Sequence, residues 1–495
     1  MAAFNIWNSA DANLTLQLSD KYKASLIEEY MSQYILSDEK INIIKRNFAK
    51  EIEDGLRRFD DITTQDPNAR SDDPAIQNPS VLGMKVTFFT EFFNGTENGD
   101  FIVIYLNRRY LMLMQAKVRP GFPMETKKEY FIVDESIRRS PYIQIFEYIC
   151  GCMLKFFGKH GLLNKMQVVG FCSDFPIIQF GIDDGIVWYF SESASDFPLN
   201  CYDISRCFEM VLLKERYHDI KIELVTIFNY NTSVYINSCY LYGEVDMFLN
   251  FVDDCDLLYC EKPSRIKKWN VSNISESVLI DTELGNFGGN GGLDFIASDL
   301  EWLAVTTSTT SEKRARLKKF VSEQYILAVI KHILVDLHHK LFYCRNTSLE
   351  KLLTEGVSVT ELCNFTNAKD LEHSASLLPG GTTGGSVEDA TIALYVCKVV
   401  LIRAAMLISL CMSSVMLRFT KEDFVIVANC PLLRKHQDYE TYIRNVTMKF
   451  APGKKFQFLW TEDNFSLTGA ALATALAHRL DRTELHPLTL QKIVS

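Results

Sequence analysis

The sequence predicts an α/β protein that is built from two similar halves. The chain has 495 residues, which is enough for two or three packed lobes. Short runs of strand-forming residues alternate with helical patterns along most of its length, as is typical of α/β folds. The strand runs fall into one group before and one group after about residue 221. We therefore expect two α/β halves that meet near this position.

The first predicted element is a helix that starts near Ser37. The Ser37 side chain can cap the helix, and Asp38 and Glu39 suit its positive N-terminal end. A single apolar stripe follows at helical spacing, formed by Ile41, Ile44, Phe48, Ile52 and Leu56. Residues 59–80 are rich in Asp, Asn, Pro and Gln, and this composition predicts a loop.

Strand and helix patterns then alternate as far as residue 460. The predicted strands are FIVIYL (101–106), YLMLMQA (110–116), MQVVGF (166–171), IELVTIF (222–228), SVYINSCY (233–240), EVDMFLNFV (244–252), DFVIVA (423–428) and FQFLW (456–460). The first two should be neighbours in one sheet, and each of the last two precedes a helical pattern. Helices are expected near 141–158 and through most of the chain after Ser311. The Gly-rich segment 378–385 predicts a flexible connection, because no strand leads into it as a phosphate loop requires.

Charge and cysteine content disfavour several functional classes. The chain has 52 Lys and Arg against 62 Asp and Glu, a net charge of −10, which argues against nucleic acid as a main partner. Its 13 cysteines are scattered and show no zinc-ligand spacing. His332, His338 and His339 share a helical pattern that predicts a solvated or packed face, so no metal site is expected. The first residues lack the apolar core of a signal peptide, and we expect a cytoplasmic protein with reduced thiols.

One apolar segment, residues 392–417, is long enough to cross a membrane. Lys398 and Arg403 interrupt it, and either charge would be costly at membrane depth. We therefore predict a buried helix between two lobes and no transmembrane segment.

Several short motifs occur in a fixed order between residues 51 and 480. They are Glu51-Ile52-x-x-Gly55-Leu56, Asn94-Gly-Thr-Glu-Asn-Gly-Asp-Phe101, Gly170-Phe171 with Phe175-Pro176, Gly181-Ile-Asp-Asp-Gly185, Glu283-x-Gly285-x-Phe287-Gly288, Arg403-Ala404-Ala405, and Gly469-Ala470-Ala471 with Ala477-His478-Arg479-Leu480. In order and spacing this set resembles the motifs of the eukaryotic hexokinases over about residues 20 to 480. Any one motif is a weak match, whereas the ordered set is specific.

The resemblance implies a two-lobed hexokinase-like fold, akin to the actin-like ATPases, with a small and a large lobe around a cleft that closes over hexose and Mg-ATP. It divides the chain into a tail (1–20), an N-terminal part that is mostly the small lobe (21–221), a C-terminal part that is the large lobe (222–482) and a second tail (483–495). Hexose phosphorylation, the first step of glycolysis, needs a base on the 6-hydroxyl, donors around the sugar, and close backbone approach to the phosphates with Mg²⁺.

The position of the catalytic base is altered in this chain. The family supplies the base as the Asp of L-V-N-D-T-V-G-T, and here the stretch is Phe228-Asn229-Tyr230-Asn231-Thr232-Ser233-Val234-Tyr235. Asn231 therefore occupies the base position. A carboxamide cannot take up the hydroxyl proton, and losing a general base costs roughly 10²–10⁴ in rate.

The nucleotide positions implied by the resemblance are also replaced. They are Tyr105, Asn107, Arg108, Arg109, Thr232, Asp253, Asp254 and Asn429. The first phosphate loop has lost its glycines, and we expect the bulky side chains at Arg108 and Arg109 to fill its tight turn. The second, G-T-G-T-N in the family, is Val252-Asp253-Asp254-Cys255-Asp256, which predicts a solvated acidic turn that repels a triphosphate. The adenosine-side motif has likewise become Val427-Ala428-Asn429-Cys430-Pro431.

The sugar positions show the same pattern of replacement. They are Asp174, Ser191, Glu192, Tyr230, Asn231, Asp256, Glu283 and Lys318. Glu283 is the one identical residue, with Ser191 a mild replacement for Thr, and the family's charged partners of Glu283 are gone. Glu283 can equally well hold its Gly-rich turn, and Thr232 can satisfy a strand.

These replacements predict a non-catalytic pseudo-hexokinase that acts by binding, with hexose or nucleotide as weak ligands or another protein as partner. The first alternative is a weakly active or altered hexokinase that phosphorylates hexose with ATP, in which case Mg-ATP is the cofactor. The second is a binding module for another small molecule, with Tyr110, Asp174 and Tyr230 lining the cleft.

Overall fold

A computed structural model describes residues 14–57, 80–175, 177–187, 202–252, 255–269, 276–299, 301, 315–354, 358–378, 385–462 and 465–482. Within these residues two large β-sheets are flanked by helices, which confirms the α/β prediction. The strands are β1 (Lys85–Val86), β2 (Gly99–Leu106), β3 (Tyr110–Val118), β4 (Glu125–Ile132), β5 (Met166–Ser173), β6 (Ile177–Gln179), β7 (Gly185–Val187), β8 (Tyr202–Asp203), β9 (Lys221–Asn229), β10 (Met247–Asn250), β11 (Asp256–Glu261), β12 (Val278–Asp281), β13 (Asp423–Asn429) and β14 (Lys455–Trp460).

Helices occur throughout the described residues and predominate in the C-terminal half. They are α1 (Lys21–Met31), α2 (Asp38–Gly55), α3 (Glu135–Arg138), α4 (Tyr142–His160), α5 (Ile204–Leu212), α6 (Tyr230–Tyr242), α7 (Lys318–Val321), α8 (Glu323–His339), α9 (Leu349–Thr354), α10 (Val359–Thr366), α11 (Leu371–Ser376), α12 (Val387–Met416), α13 (Pro431–Lys435), α14 (Gln437–Phe450) and α15 (Phe465–Arg482). Ser37 caps α2 through its side chain, as the sequence predicts. The loop predicted at 59–80 and most of the 378–385 segment lie outside the described residues.

The first sheet has the strand order β4-β3-β2-β5-β9. Strands β2 and β3 pair antiparallel as neighbours, which confirms the expected hairpin, and β5 pairs parallel with both β2 and β9. Helices α6 and α15 pack together and α15 lies against this sheet. Gly469 makes that close approach possible, because a Cβ there would lie 1.8 Å from the Ser233 carbonyl oxygen.

The second sheet has the order β1-β12-β11-β10-β13-β14. Strands β10, β13 and β14 pair in parallel at one end of this sheet, whereas β1, β12, β11 and β10 pair antiparallel at the other. A small sheet of β6, β7 and β8 joins the first sheet where the Ile227 amide donates to the Ile182 carbonyl. The carboxyl ends of β9, β10, β12 and β13 come together, and this places the candidate site between the two sheets.

Helix α12 lies in the protein interior, as predicted. By length and composition it could cross a membrane, but 89% of its most apolar window is buried inside the protein. Arg403 pairs with Glu301 and both side chains are almost fully buried. The Arg403 guanidinium also lies 5.0 Å from the ring centre of Tyr34. A buried Arg with these partners indicates a core helix.

Two local predictions are wrong. Residues 233–240 were expected to form a strand but lie inside helix α6. Asn229 caps this helix by accepting a hydrogen bond from the Thr232 amide, and that cap, with burial against α15, overrides the strand propensity of the sequence. Strand β4 has no predicted counterpart, because its charged, mostly exposed residues lack a continuous apolar run.

Candidate functional site

The candidate site begins where β9 ends and α6 starts. The Asn229 side-chain oxygen accepts the Thr232 amide at 2.8 Å, and its Nδ2 donates to Asp281 at the end of β12. Thr232 lies in the first turn of α6, so the expectation that it satisfies a strand is wrong. Its hydroxyl is buried and has no hydrogen-bond partner in the described part of the chain.

Asn231, at the family's base position, has both ends of its side-chain amide engaged. Its Nδ2 donates to Asp256 Oδ2 at 2.9 Å, and its Oδ1 accepts from Asn250 Nδ2, also at 2.9 Å. All three side chains are buried, with exposures of 4–6%. The Asp256 carboxylate can only accept, so it fixes which way the Asn231 amide points. A buried amide held at both ends cannot act as a proton acceptor.

The amide hydrogen bonds continue across the second sheet. Asn250 Oδ1 accepts from Asn429 Nδ2 at 3.2 Å, and Asn429 Oδ1 accepts from the Thr461 hydroxyl at 3.2 Å. A single direction of donation therefore runs from Thr461 to Asp256 through Asn429, Asn250 and Asn231. Asn429 was expected only as a replaced nucleotide position, and no sequence motif indicates this series of hydrogen bonds.

Asp256 is not part of a solvated acidic turn, so that prediction is wrong for this residue. It is the first residue of β11, is 4% exposed, and its Oδ1 accepts the Leu257 amide at 2.9 Å and the Leu284 amide at 3.3 Å. Where the hexokinases carry Asp and Asn, this chain carries Asn231 and Asp256. The resemblance therefore implies an exchange of the two residue types, and in this chain the two side chains share a hydrogen bond.

Glu283, the retained sugar position, is paired with a cation. Lys85 Nζ lies 2.5 Å from Glu283 Oε1. Although burial lowers the pKa of Lys85, its neighbours Glu283, Asp281 and Asp256 raise that pKa above the ordinary value. Glu283 thus has a charged partner in Lys85, a residue that is not among the site positions implied by the resemblance. Lys85 comes from β1, which pairs with β12, and sequence spacing gave no sign of this contact.

The backbone at Glu283 is unusual, with a φ of 52° in the left-handed region. Its amide donates to Asp281 Oδ1 at 3.1 Å, which holds this conformation. Lys318 lies beside the same turn, because a Cβ at Gly285 would be 3.4 Å from the Lys318 Cβ. Lys318, which the resemblance implies as a sugar position, therefore lies beside the turn that carries Glu283.

The Tyr105 and Asp174 side chains meet where the neighbouring strands β2 and β5 end. The Tyr105 hydroxyl donates to Asp174 Oδ1 at 2.7 Å, and burial together with the Asp174 charge raises the pKa of Tyr105. The Tyr105 ring also lies 6.0 Å from that of Tyr110. The phenol is buried where the family has the Asp that helps organise the metal.

The first phosphate loop is closed by Asn107, not by the arginines. Asn107 Oδ1 accepts the amides of Arg109 and Tyr110 at 2.8 and 2.9 Å, forming a tight side-chain-capped turn. Arg108 and Arg109 are both exposed, so the prediction that they fill the turn is wrong. Once the Asn107 side chain has taken the amides of the turn, the long arginine side chains extend into solvent.

Some site predictions lie outside the described residues: Ser191, Glu192, Asp253 and Asp254. Tyr230 is described, half-buried at the start of α6 and packed against the large hydrophobic core. Among the described residues, no group of three His, Cys, Asp or Glu side chains could hold a metal ion.

Glu323 is a site residue that the sequence analysis missed. Its carboxylate is buried at the N-terminus of α13, where Oε1 accepts the Leu432 amide at 2.5 Å and lies 3.7 Å from the Cys430 thiol. Helix α13 directly follows the altered adenosine-side motif. A carboxylate at this end of the helix occupies donors that would otherwise favour an anion.

Comparison with known proteins decides the family. One family model described as hexokinase matches residues 26–240, and a second described as hexokinase matches residues 254–476. The chain belongs to the hexokinase family. Hexokinase-1 of Homo sapiens is 24% identical over 471 residues, covering 92% of this chain and 48% of that protein. Hexokinase-1 of Mus musculus is 23% identical over 464 residues, covering 92% and 45%. This chain spans about half the length of these relatives.

Solved structures confirm the two-lobed hexokinase fold. The hexokinase from Schistosoma mansoni complexed with glucose superposes with a TM-score of 0.72 at 18% identity, covering 92% of this chain and all of that one. A second hexokinase crystal structure gives a TM-score of 0.69 at 15% identity, covering 92% and 99%. At these identities the likeness establishes the fold of this hexokinase relative and leaves its chemistry to the site residues.

Proposed function

We propose that this member of the hexokinase family no longer transfers phosphate and acts by binding. The observation that carries the proposal is the state of Asn231, whose amide is hydrogen-bonded to both Asn250 and Asp256 at 2.9 Å. Phosphoryl transfer to a hexose hydroxyl needs a group that accepts the hydroxyl proton, and an amide has no such capacity. The residue at the family's base position therefore makes structural hydrogen bonds and cannot accept the hydroxyl proton.

The nucleotide side supports the same proposal. Tyr105 fills the place of an Asp that helps organise the metal, and Asn107 takes the amides of the first phosphate turn. Glu323 places a buried carboxylate at the N-terminus of α13. Each of these groups competes with a phosphate oxygen or repels it, so we expect hexose or nucleotide to bind weakly.

The decisive experiment is an ATP-dependent hexose phosphorylation assay on purified protein at high concentration. Glu283→Ala serves as the cleft-disrupted control, and thermal unfolding of both proteins shows that the control is folded. We expect no difference in turnover between the two. Wild-type turnover above that of the folded control would refute the loss of phosphotransfer.

One observation favours the second candidate, an altered phosphotransferase. A carboxylate is still present in the pair, because Asp256 lies 2.9 Å from the base-position amide. If Asp256 serves as a displaced base, turnover in the assay above will be detectable with Mg-ATP and will fall in Asp256→Asn. A rate that is unchanged in Asp256→Asn would count against this candidate.

A third candidate is a cleft that binds a different small molecule. The partly exposed Tyr110 ring and the exposed Asp174 carboxylate offer a stacking and a hydrogen-bonding group at one wall. A thermal-shift screen distinguishes this candidate: stabilisation by a non-sugar ligand that Tyr110→Ala abolishes would support it. Stabilisation by hexose alone would favour the first proposal.

We further propose a cytoplasmic location and leave open a protein partner on the outer surface. The location is supported by the cysteines, since all twelve in the described part of the chain are free thiols. Cell fractionation with a tagged full chain tests it, and recovery in a membrane or secreted fraction would contradict it.

A further inference from the structure

Lys268 belongs to a group of charged side chains beside the retained glutamate. Its Nζ donates to the Gly83 carbonyl oxygen at 3.0 Å. The Glu283 carboxylate lies directly against Gly83, because a Cβ there would be 2.0 Å from Glu283 Oε2. Lys85 Nζ lies 2.5 Å from the other Glu283 oxygen. We refer to Lys85, Lys268 and Glu283 together as the lysine cluster.

The main chain at Lys268 is held firmly while the cluster stays open to solvent. The Lys268 amide donates to the Leu56 carbonyl at 3.1 Å, and the next residue, Trp269, is buried with its ring 5.7 Å from that of Phe88. Lys268 is half-exposed, and the Lys85 and Glu283 side chains retain 19% and 27% of their exposure. The cluster therefore borders solvent, while the hydrogen bonds of the Lys268 amide and Nζ hold the amine in a fixed position.

The surroundings favour a neutral amine at Lys268. Burial of the ammonium and repulsion by Lys85 lower the pKa of Lys268 to about 7, against an opposing attraction from Glu283. Within the described residues, the charged groups that act on Lys268 are Lys85 on β1 and Glu283 after β12. A second cation beside a partly desolvated lysine is a known way to make an amine nucleophilic near neutral pH.

We propose that Lys268 is a reactive amine that condenses reversibly with small aldehydes, with Lys85 and Glu283 as its proton-transfer partners. Neither the reactive amine nor its condensation with an aldehyde follows from the hexokinase resemblance. The proposal does not depend on whether the cleft transfers phosphate.

The chemistry balances within the cluster. The Lys268 lone pair attacks the aldehyde carbon, the C=O π pair moves to oxygen, and that oxygen takes a proton from the Lys85 ammonium. The nitrogen gives one proton to Glu283, which returns it to the hydroxyl as water leaves and the C=N bond forms. Lys85 then takes the remaining nitrogen proton. The sum is amine plus aldehyde giving imine plus water, with every cluster residue restored.

The test is reductive capture with glycolaldehyde and cyanoborohydride on the full chain, followed by peptide mapping. Lys165 is the internal reference, since it is exposed and also donates to a glycine carbonyl, Gly161 O at 2.9 Å. At pH 7 about half of Lys268 would be neutral, against on the order of one in 10³ of an ordinary lysine. A less basic amine is also a weaker nucleophile, which offsets most of this difference in neutral fraction. We expect Lys268 to be captured about 10-fold faster than Lys165 at pH 7, and this advantage in rate to narrow at pH 9.5.

Two variants sharpen the experiment. Lys85→Gln removes the neighbouring cation and frees Glu283 to attract the Lys268 ammonium, so capture at pH 7 should slow while Lys165→Gln leaves it unchanged. Equal capture of Lys268 and Lys165 in the wild-type chain at pH 7 would overturn the proposal without needing any variant. An unchanged Lys268 rate in folded Lys85→Gln would overturn the assigned role of the cluster.

Discussion

Restoring the family's catalytic residue with Asn231→Asp is expected to destabilise the protein and not to restore activity. The substitution places a second carboxylate 2.9 Å from Asp256 Oδ2, where an amide now donates. Both positions are almost fully buried, at 6% and 4% exposure. The donor from Asn250 is kept, because an Asp oxygen accepts as well as an Asn oxygen does.

The magnitude follows from the alternatives open to this pair. Two unit charges at this separation repel by about 6 kcal/mol at an effective dielectric constant of about 20. Keeping one proton on the pair at pH 7, against an ordinary carboxyl pKa of about 3.9, costs about 4 kcal/mol. Protonation is therefore favoured, and the strong hydrogen bond that the proton makes offsets part of its cost. We expect a loss of about 2–4 kcal/mol at pH 7.

The loss should depend on pH with a definite sign. The shared proton has a pKa raised in the folded state, so the folded variant binds more protons than its unfolded chain above about pH 4. The penalty is accordingly small near pH 4 and grows as pH rises. Urea unfolding of wild type and variant at pH 4.5 and pH 7, followed by tryptophan fluorescence, measures both values.

The exchange of the two residues provides the matched control. In Asn231→Asp/Asp256→Asn the amide at 256 donates to the carboxylate at 231 and its oxygen still accepts the Leu257 and Leu284 amides. Every described hydrogen bond of the pair is retained. In Asp256→Asn alone, the new amide group faces the Asn231 amide group, so two donors oppose each other. This should lower the free energy of unfolding by about 1–3 kcal/mol. The double variant is expected to lie within about 1 kcal/mol of wild type, giving a coupling energy of about 2 kcal/mol or more.

Clear outcomes would refute this reasoning. A single Asn231→Asp variant as stable as wild type at pH 7, or a double variant no more stable than the sum of the singles, would contradict the hydrogen-bond geometry. Substantial hexose phosphorylation by either variant would show that the altered phosphate loops still bind nucleotide productively.

Three further predictions concern stability. Tyr105→Phe removes the 2.7 Å hydrogen bond to Asp174 and should lower the free energy of unfolding by about 1 kcal/mol, with an unchanged m-value in urea. A loss below about 0.3 kcal/mol would contradict a structural role for this hydrogen bond. Burial lowers the pKa of His436 below its ordinary 6.5, so the unfolded chain takes up the proton first and stability falls as pH drops from 7 toward 5. His436→Asn should be less stable than wild type at pH 7 and show a smaller fall, and parallel pH profiles would count against this assignment. Arg403→Met leaves Glu301 as a buried unpaired charge and should lower the free energy of unfolding by about 3–5 kcal/mol. Arg403→Met/Glu301→Leu should restore most of this stability, as measured by urea unfolding. Equal losses in the single and double variants would argue against the pair.

The elements that the sequence predicted correctly are those whose local pattern is strong. Helix α2 has a capping serine and one apolar stripe, and β2 and β3 are long apolar runs joined by a short turn. Residues 233–240 show the limit of such patterns, because their strand-like composition is overruled by the Asn229 cap and by packing against α15. That packing partner is more than 200 residues away along the chain.

The candidate site shows the same division between features that residue types predict and features that tertiary contacts decide. The sequence alone indicated the family, and its resemblance to the family predicts the replacement of the base by Asn231 and the loss of the loop glycines, because each follows from residue types at motif positions. Only the tertiary structure decided what the replacements do. It pairs Asn231 with Asp256, Glu283 with Lys85, and the N-terminus of α13 with Glu323. These contacts join residues from separate strands and helices, and motif spacing carries no information about which distant side chain will satisfy a buried polar group.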